Sequence, residues 1–399
     1  MDKKSILIFG VGPLQKSIIE RCKLKGLFTI GIDPMEDAAC KDEVDAFEVV
    51  GGQDFEKTLD VAKRYNVKGI ITAATDKPLV MMARIAERLN LPFFSIETAE
   101  WSTDKLLMKE KFMEADIPCA KGFLLNNLKE LENHIIEYPV IVKPRDNSGS
   151  RGVIYCKDLC EVEQAVQEAL QYTKKESVLI EEFIEGKEYS IEAIHYKGET
   201  HIIQFTEKIT TDFPYNVEIG HIQPADLSAE HQDEIKSLVA EIAQSLKFKN
   251  CASHTEVKIN SKGIFVIETS PRLGGGFITS TLVPLSVGVN MEDILIDIAV
   301  NNDFQYLKVI PIINKKSGII HFELPVGVIS AILNINELNE LPNMYSWETT
   351  LTIGDNVKSM KNGIDRYGYA IFQTDTKKEL EDSFSKCKAI VNKQIVVEL

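Results

Sequence analysis

The sequence has few of the features that mark secreted, membrane-spanning or zinc-binding proteins. Its seven cysteines are scattered along 399 residues, and the nearest pair, Cys156 and Cys160, has neither zinc-like spacing nor a partner pair. No apolar run approaches the length of a membrane span, and residues 6–9 are too short for a signal-peptide core. We therefore expect reduced thiols, a cytoplasmic location and no membrane partner.

Basic residues are also in short supply. The chain carries 60 acidic and 45 basic residues, for a formal charge of −15, whereas binding to a phosphate backbone needs a basic surface. Nucleic acid is excluded as an expected partner. A hydrophobic content of 44% over this length predicts two or three packed domains without long disordered segments.

The first hundred residues alternate between strand and helix patterns. Residues 5–10, 28–33 and 69–73 are apolar and strand-like, while residues 14–24 have helical spacing, which predicts a Rossmann-like open parallel sheet. The first turn contains Gly10 and Gly12, but Gln15 stands where a dinucleotide fingerprint has its third glycine. Asp33 ends the second strand. We favour a structural turn over a dinucleotide site.

The remaining pattern predicts a larger α+β region. A helix begins after a Ser-Thr-Asp cluster near residue 104, and short strands and helices then alternate. The predicted fold class is α/β and α+β. The predicted domains are residues 1–98, 99–310 with a nucleotide lid at about 118–185, and 311–399.

A lysine followed by a glycine-containing loop is the first candidate site. Lys143 ends an apolar strand, and the loop after it can turn backbone N–H groups toward phosphate oxygens. Lys105, at the start of a helix where a cation is disfavoured, suggests a compensating anionic ligand. A plain surface hairpin is the alternative. The candidate loop residues are Ser148, Gly149, Ser150 and Gly152.

An acidic turn is the second candidate. A strand delivers Glu181 and Glu182, followed by Phe183, and Gly186 then turns the chain toward Glu188. Paired carboxylates could accept hydrogen bonds from ribose hydroxyls or from the adenine amino group. A solvated acidic turn is the alternative interpretation.

The third candidate is a hairpin around Ser261-Lys262-Gly263. A three-residue turn with Gly263 left-handed places Asn260 opposite Ile264. Counting back, Glu256 falls opposite Glu268 and His254 opposite Ser270 on one face. The other face would hold Val257, Ile259, Phe265 and Ile267.

Two glutamates opposed across strands repel each other unless a cation lies between them. Mg²⁺, bound by carboxylates and phosphate oxygens, suits the position, with Arg272 next along the same face. A water-exposed acidic hairpin is the alternative. Gly274 and Gly275 allow close approach to a ligand, and His221 is a further substrate candidate, although either feature can be structural.

In this order, the segments resemble the ATP-grasp superfamily. The resemblance covers most of the chain and rests on the lysine pair, the 181–188 segment and the spacing from Glu256 to Arg272. Within the superfamily the chain looks like the group of biotin carboxylase, carbamoyl-phosphate synthase and bacterial L-amino-acid ligases. His254-Thr255-Glu256 and the segment after Gly220 favour the last.

The resemblance implies a role for each motif. Lys105, Lys143 and the glycine loop would bind ATP phosphates, and residues 181–183 and 188 would bind adenosine. Glu256, Glu268 and Ser270 would hold Mg²⁺ or Mn²⁺, although the family has Asn where this chain has Ser270. Arg272, Lys143 and His254 are the implied catalytic residues, and His221, Arg272, Gly274 and Gly275 the substrate candidates.

The implied enzyme is an ATP-dependent carboxylate–amine ligase that forms an acyl phosphate and then an amide or peptide bond. Its partners would be a small carboxylate and an amine, and a homodimer is compatible with the fold. A carboxylase that activates bicarbonate or formate is one alternative. A nucleotide-binding protein without ligase activity is another, and Ser270 motivates it.

Overall fold

A computed structural model describes residues 3–302 and 306–398 of the chain. Residues 1–2, 303–305 and 399 of the predicted domains lie outside this description. In the described part, no helix is long and apolar enough to cross a membrane.

The N-terminal region is a parallel sheet flanked by helices, as predicted. The strands lie in the order β3-β2-β1-β4, and Ile6, Leu7 and Ile8 of the central strand are fully buried because helices cover both faces. The elements are β1 (Ser5–Phe9), α1 (Lys16–Leu24), β2 (Phe28–Asp33), β3 (Ala46–Val49), α2 (Phe55–Arg64), β4 (Gly69–Ile71) and α3 (Leu79–Leu89).

Two helices connect this sheet to a small antiparallel sheet. Asp104 caps the second helix by accepting a hydrogen bond from Leu106 N, as the sequence predicted, while residues 97–103 form a helix that was not predicted. The strands of the small sheet lie in the order β5-β8-β6-β7. The elements are α4 (Ile96–Thr103), α5 (Lys105–Glu114), β5 (Gly122–Leu125), β6 (Val140–Pro144), β7 (Ile154–Cys156), α6 (Leu159–Leu170) and β8 (Val178–Glu182).

A large antiparallel sheet forms the centre of the molecule. It begins with β9 (Lys187–Tyr196), β10 (Glu199–Thr210), β11 (Glu218–Gln223), α7 (Ala229–Ser245), β12 (Cys251–Asn260), β13 (Gly263–Ser270), α8 (Val283–Val287) and α9 (Met291–Ala299). The C-terminal elements are β14 (Lys316–His321), β15 (Gly327–Ile332), β16 (Met344–Thr349), β17 (Asn356–Val357), β18 (Gly368–Thr374), α10 (Lys377–Gln394) and β19 (Ile395–Glu398).

The order of the large sheet is β13-β12-β9-β10-β11-β14-β18-β16, and β17-β15-β19 form a separate sheet. The large sheet therefore includes strands from both sides of the predicted 310/311 boundary, and the domain boundaries remain predictions. The mixed α/β and α+β fold class is confirmed. The strands of the large sheet carry six of the candidate site residues, which are Glu188, His221, His254, Glu256, Glu268 and Ser270.

Candidate active site

The hairpin of β12 and β13 opposes two glutamates, as predicted. Glu256 pairs with Glu268, and His254 pairs with Ser270. The turn itself was predicted wrongly, because Asn260 pairs with Gly263 and only two residues form the turn. Asn260 explains the tighter turn, since its Oδ1 accepts a hydrogen bond of 2.8 Å from Lys262 N.

A β-bulge restores the register that the shorter turn displaces. Val257 pairs with Val266 while Glu256 pairs with Glu268, so Ile267 has no partner across the pair. The predicted apolar face is therefore half wrong. Val257 and Ile259 oppose Val266 and Ile264, and not Ile267 and Phe265.

A lysine that the sequence reasoning missed lies among three carboxylates. Lys208 Nζ is 2.6 Å from Glu188 Oε1, 2.6 Å from Glu218 Oε1 and 2.9 Å from Glu256 Oε2. Oxygens of the three acids lie within 4.8 Å of one another. Burial alone would lower the pKa of Lys208, but the carboxylates raise it well above its ordinary value. The cluster therefore holds a permanent cation.

His254 joins this acid cluster to a fully buried carboxylate. Its Nδ1 lies 2.5 Å from Glu192 Oε1 and its Nε2 lies 3.2 Å from Glu256 Oε1. Burial opposes a charge here, yet the two acids raise the pKa of His254 to about 10, so the ring is an imidazolium that donates from both nitrogens. This arrangement fixes the orientation of the Glu256 carboxylate.

The loop after Arg272 contains Gly274 at a position that has no space for a side chain. A Cβ at Gly274 would lie 2.8 Å from Glu192 Oε2 and 2.9 Å from His254 Nδ1, which leaves no room for a side chain. Gly275 is less constrained, since its Cβ would meet Ala74 Cβ at 3.4 Å. Beyond the glycines the chain makes one π-helical turn at Ile278–Leu282.

Glu268 and its neighbours meet the N-terminal region. Lys105 Nζ is 2.5 Å from Glu268 Oε2, which places the first residue of α5 at the hairpin. Ser270 Oγ donates a hydrogen bond of 2.5 Å to Asp76 Oδ1, and Arg272 binds both oxygens of the same carboxylate. Asp76, which follows β4, was not predicted as a site residue.

Lys143 lies at the other wall of the site, in a buried three-residue ion cluster. Its Nζ is 2.8 Å from Glu181 Oε2, and Lys109 Nζ is 3.1 Å from Glu181 Oε1. Burial lowers the pKa of Lys143 and Glu181 raises it, with a net lowering, while the two lysines hold the pKa of Glu181 below its ordinary value. Glu181 and Glu182 therefore do not form a pair of adjacent acceptors, and their role in nucleotide binding remains a prediction. The two carboxylates leave the strand on opposite faces, and Glu182 is exposed.

The remaining nucleotide candidates surround this wall. Phe183 packs edge-on against Tyr155 and Phe213, with ring centroids 4.9 and 5.3 Å apart, and Lys258 Nζ lies 4.8 Å from its ring centroid. In the glycine loop, Gly149 is exposed with nothing within 4 Å of an added Cβ. Gly152 differs because a Cβ there would meet the Tyr172 ring at 2.8 Å. Ser148 and Ser150 lie partly exposed in the same loop.

His221 lies beside the acid cluster and is neutral. Its Nε2 is 3.6 Å from Glu218 Oε2, and its Nδ1 has no hydrogen-bond partner among the described residues. Burial lowers its pKa to about 4, and the opposing effect of Glu218 is smaller. A buried imidazole nitrogen without a protein partner can accept a hydrogen bond from a bound ligand or water.

The N-terminal turn does not offer a dinucleotide site. Gln15 fills the turn, with its Oε1 accepting from Gly12 N at 3.1 Å and its Nε2 donating to Ala73 O at 2.7 Å. Asp33 accepts a hydrogen bond from Val11 N at 3.0 Å instead of facing a ribose site. The structural interpretation of this turn fits these contacts.

Two known families match the chain over the regions just described. The ATP-grasp domain matches residues 136–281, and the L-amino acid ligase C-terminal domain 2 matches residues 321–393. Residues 136–281 of this chain form an ATP-grasp domain. This domain contains Lys143, Glu256, Glu268 and Arg272, while Lys105 precedes the matched region.

Among similar proteins, the alanine–anticapsin ligase of Bacillus amyloliquefaciens is 26% identical over 268 residues, covering 61% of this chain and 56% of that protein. The L-arginine-specific L-amino acid ligase of Bacillus subtilis is 25% identical over 297 residues, covering 71% and 70%. The crystal structure of L-amino acid ligase from Bacillus licheniformis aligns with a TM-score of 0.83 at 19% identity, over 100% of each chain. The chain thus matches little more than half the length of the first relative.

Proposed function

We propose that this protein is an ATP-dependent carboxylate–amine ligase whose substrates are amino acids. The opposed pair Glu256 and Glu268 carries the proposal, because Lys105 contacts Glu268 and Arg272 follows two residues after β13. The ligase domain at residues 321–393 and the two amino-acid ligase relatives support the substrate class.

The residues present suit Mg²⁺ and the phosphates of ATP. Hard oxygen ligands are what Mg²⁺ prefers, and Glu256 and Glu268 supply them from facing strands. When bound there, Mg²⁺ would neutralise phosphate charge. Ser270 donates its hydroxyl proton to Asp76, and its oxygen, which is neutral, is a weaker Mg²⁺ ligand than a carboxylate. We expect Glu256 and Glu268, and not Ser270, to determine metal affinity.

The chain supplies cations for a phosphoryl group that moves from ATP to a carboxylate. The substrate carboxylate oxygen forms a bond to the γ-phosphorus, the bond to the β,γ-bridging oxygen breaks, and ADP leaves. Lys105 and Lys143 would lie along the phosphates, and Arg272 beside the acyl group. Backbone N–H groups of the glycine loop, around Gly149, would cover the phosphates and exclude water.

The second step joins an amine to the activated acyl carbon. The amine nitrogen forms the new C–N bond, phosphate leaves with the oxygen of the broken bond, and the nitrogen loses a proton. Glu218 and the neutral His221 are hydrogen-bond acceptors on this side of the site, so they are suited to orient an amine N–H. His254, which holds both of its protons, is suited to fix Glu256 and not to remove a proton.

A cytoplasmic location and a homodimer are part of the proposal. The cysteines support the first, since all seven are free thiols and five of them are buried.

The test is a phosphate-release screen over pairs of amino acids with Mg-ATP. We expect ADP and phosphate only when an acid and an amine are both present, with a new amide product. Glu268→Gln should lower the rate at least about 100-fold, in the range of losing one charge-stabilising group. Glu199→Gln, an exposed glutamate on β10, is the matched control and should keep the wild-type rate.

Two outcomes would replace this proposal by its alternatives. ATP turnover that depends on bicarbonate or formate, and not on an amino acid, would indicate the carboxylase function. Tight ATP binding without ADP formation on the whole panel would indicate a nucleotide-binding protein.

A further inference from the structure

Asp76 is a carboxylate of the N-terminal domain that lies inside the catalytic site. It follows β4 at the carboxyl end of the parallel sheet, and its side chain is 21% exposed. Asp76 Oδ1 accepts from Ser270 Oγ at 2.5 Å and from Arg272 Nε at 2.8 Å, and its Oδ2 accepts from Arg272 Nη2 at 3.1 Å. Its partners are almost 200 residues away in sequence, at the end of β13.

The bidentate contact leaves Arg272 with a defined set of free donors. A guanidinium has five N–H groups, of which two bind Asp76 and a third donates from Nη1 to Leu273 O at 3.0 Å. Among the described contacts, one N–H therefore remains on each terminal nitrogen. Two such donors in a rigid plane match the two oxygens of a carboxylate or of an acyl phosphate.

The charges around Arg272 alternate in sign. Asp76 lies against Arg272, and the negative charge of Glu268 attracts both Arg272 and Lys105. Lys105 also lies near Asp76. The contacts of Asp76 with Ser270 Oγ, Arg272 Nε and Arg272 Nη2 hold the guanidinium plane in one orientation.

The loop that carries Asp76 is itself held in place. Thr72 Oγ1 donates a hydrogen bond of 2.7 Å to Phe9 O. Ala74 has a left-handed φ of 57° and lies against Gly275 in the loop after Arg272. Through Ala74 and Asp76, this loop brings the N-terminal sheet into contact with Gly275 and Arg272.

We propose that Asp76 is a positioning residue, which fixes the Arg272 guanidinium so that its two remaining N–H groups face the oxygens of the carboxylate being activated. The proposal rests on the proposed ligase function. It gives the N-terminal domain a direct part in the reaction and assigns Ser270 to the same hydrogen-bond network, because Ser270 supports the carboxylate that supports Arg272.

An ion pair between domains could also serve stability alone, and a matched pair is available as a control. Arg21 of α1 binds Asp293 of α9 through two contacts, at the contact between these two helices and outside the proposed site. Asp76→Asn should lower kcat about 10- to 100-fold with a small change in KM for ATP, as expected for a misplaced catalytic group. Asp293→Asn should keep kcat.

Chemical rescue separates positioning from stability. In Arg272→Ala, free guanidinium should restore part of the activity, because Asp76 still offers its two oxygens as a binding place for the ion. In the double variant Asp76→Asn with Arg272→Ala, rescue should be lost. Equal rescue in both variants, or a kcat for Asp76→Asn equal to that of Asp293→Asn, would overturn the proposal.

A measurement without turnover keeps this inference distinct from the proposed function. The Nε–H resonance of Arg272, assigned by its loss in Arg272→Lys, should be slow to exchange in the wild type and fast in Asp76→Asn. An unchanged exchange rate would sink the positioning role even if the wild type is a ligase. A wild type without ADP formation from any acid and amine would overturn the ligase function on which the catalytic part of the inference rests.

Discussion

Lys208 Nζ lies 2.9 Å from Glu256 Oε2, so the carboxylate that we assign to metal binding already has an internal cation beside it. Only 2% of the Lys208 side chain is exposed, and Glu188 and Glu218 complete its surroundings. Buried charges of this kind are stabilised only as a set, because removal of one leaves the others unpaired. Of these carboxylates, Glu256 also contacts the His254 imidazolium and Glu218 also contacts Arg366, so Lys208 is one of three cations that balance the set.

Replacing Lys208 by Met should convert this cluster into a cation site of its own. Three carboxylates within 4.8 Å would then repel one another, and a divalent ion would relieve the repulsion. We expect Mn²⁺ to bind the variant at least about tenfold more tightly than the wild type without nucleotide, a gain of about 1.4 kcal/mol. Titration with Mn²⁺ followed by electron paramagnetic resonance measures it.

The control for this variant is Lys388→Met, which removes an ion pair with Glu323 outside the site. Its Mn²⁺ affinity should equal that of the wild type. The same weak affinity in both variants would show that the three acids do not act as one ligand set.

Gly274 and Gly275 allow a test of how closely the loop after Arg272 must approach Glu192 and His254. A methyl group at Gly274 would lie within 3 Å of Glu192 and His254, whereas at Gly275 it would only touch Ala74. Gly274→Ala should therefore displace the His254 ring and lower kcat about 100-fold, in line with a displacement near 1 Å. The loss in kcat for Gly275→Ala should be severalfold smaller than that for Gly274→Ala. Steady-state kinetics of both variants decide the point, and equal losses would contradict it.

Removing Lys143 should cost stability as well as phosphate binding. Glu181 would keep Lys109 as its single cationic partner, in surroundings where its side chain is 6% exposed. Breaking a buried pair costs about 3–5 kcal/mol. Because Lys109 remains, we expect Lys143→Met to lower the free energy of unfolding by about 3 kcal/mol or less. Urea denaturation measures the free energy of unfolding.

A second change separates the two effects of Lys143. Adding Glu181→Gln to Lys143→Met removes the unbalanced charge and should recover part of the lost stability, while ADP affinity should stay low. Lys111→Met is the control for loss of a lysine from α5, because Lys111 is partly exposed and pairs with the exposed Glu114. A double variant as unstable as the single one would argue against the ion cluster as the cause.

The opposed glutamates were predictable because strand pairing is local. The turn and the bulge each shift the register by one residue, and the two shifts cancel between Asn260 and Glu256. The prediction was therefore right for the acids and wrong for the turn. Alternation of apolar residues could not reveal the bulge, because Ile264, Phe265, Val266 and Ile267 are all apolar and fit either register.

Lys208, Glu218 and Asp76 were missed for another reason. Each reaches the site through contacts between strands or domains that are distant in sequence, and a lone charged residue in a strand does not indicate its partner. Lys208 lies next to Glu207 in the sequence, but it faces Glu188 only because β10 pairs with β9 in one register. The fold class could be predicted from periodicity and glycine spacing alone. Prediction of the charge network would have required the register of the whole sheet.

Glu292 should make the stability of the protein depend on pH at a place away from the proposed site. The residue is 1% exposed on α9, and its Oε2 lies 2.6 Å from Ser17 Oγ of α1. Burial raises its pKa from 4.5 to about 7, against smaller lowering effects of Ser17 and Arg21. The folded protein therefore keeps a proton that the unfolded chain releases above pH 4.5. The stabilisation from this proton is complete below pH 4.5 and is lost as pH rises through 7.

Glu292→Gln cannot ionise, so its free energy of unfolding should exceed that of the wild type by up to about 3 kcal/mol at pH 8 and by much less at pH 5. Urea denaturation at both pH values measures the difference, with Glu56→Gln on the exposed side of α2 as control. A difference that is the same at both pH values would mean that Glu292 is already ionised in the folded protein.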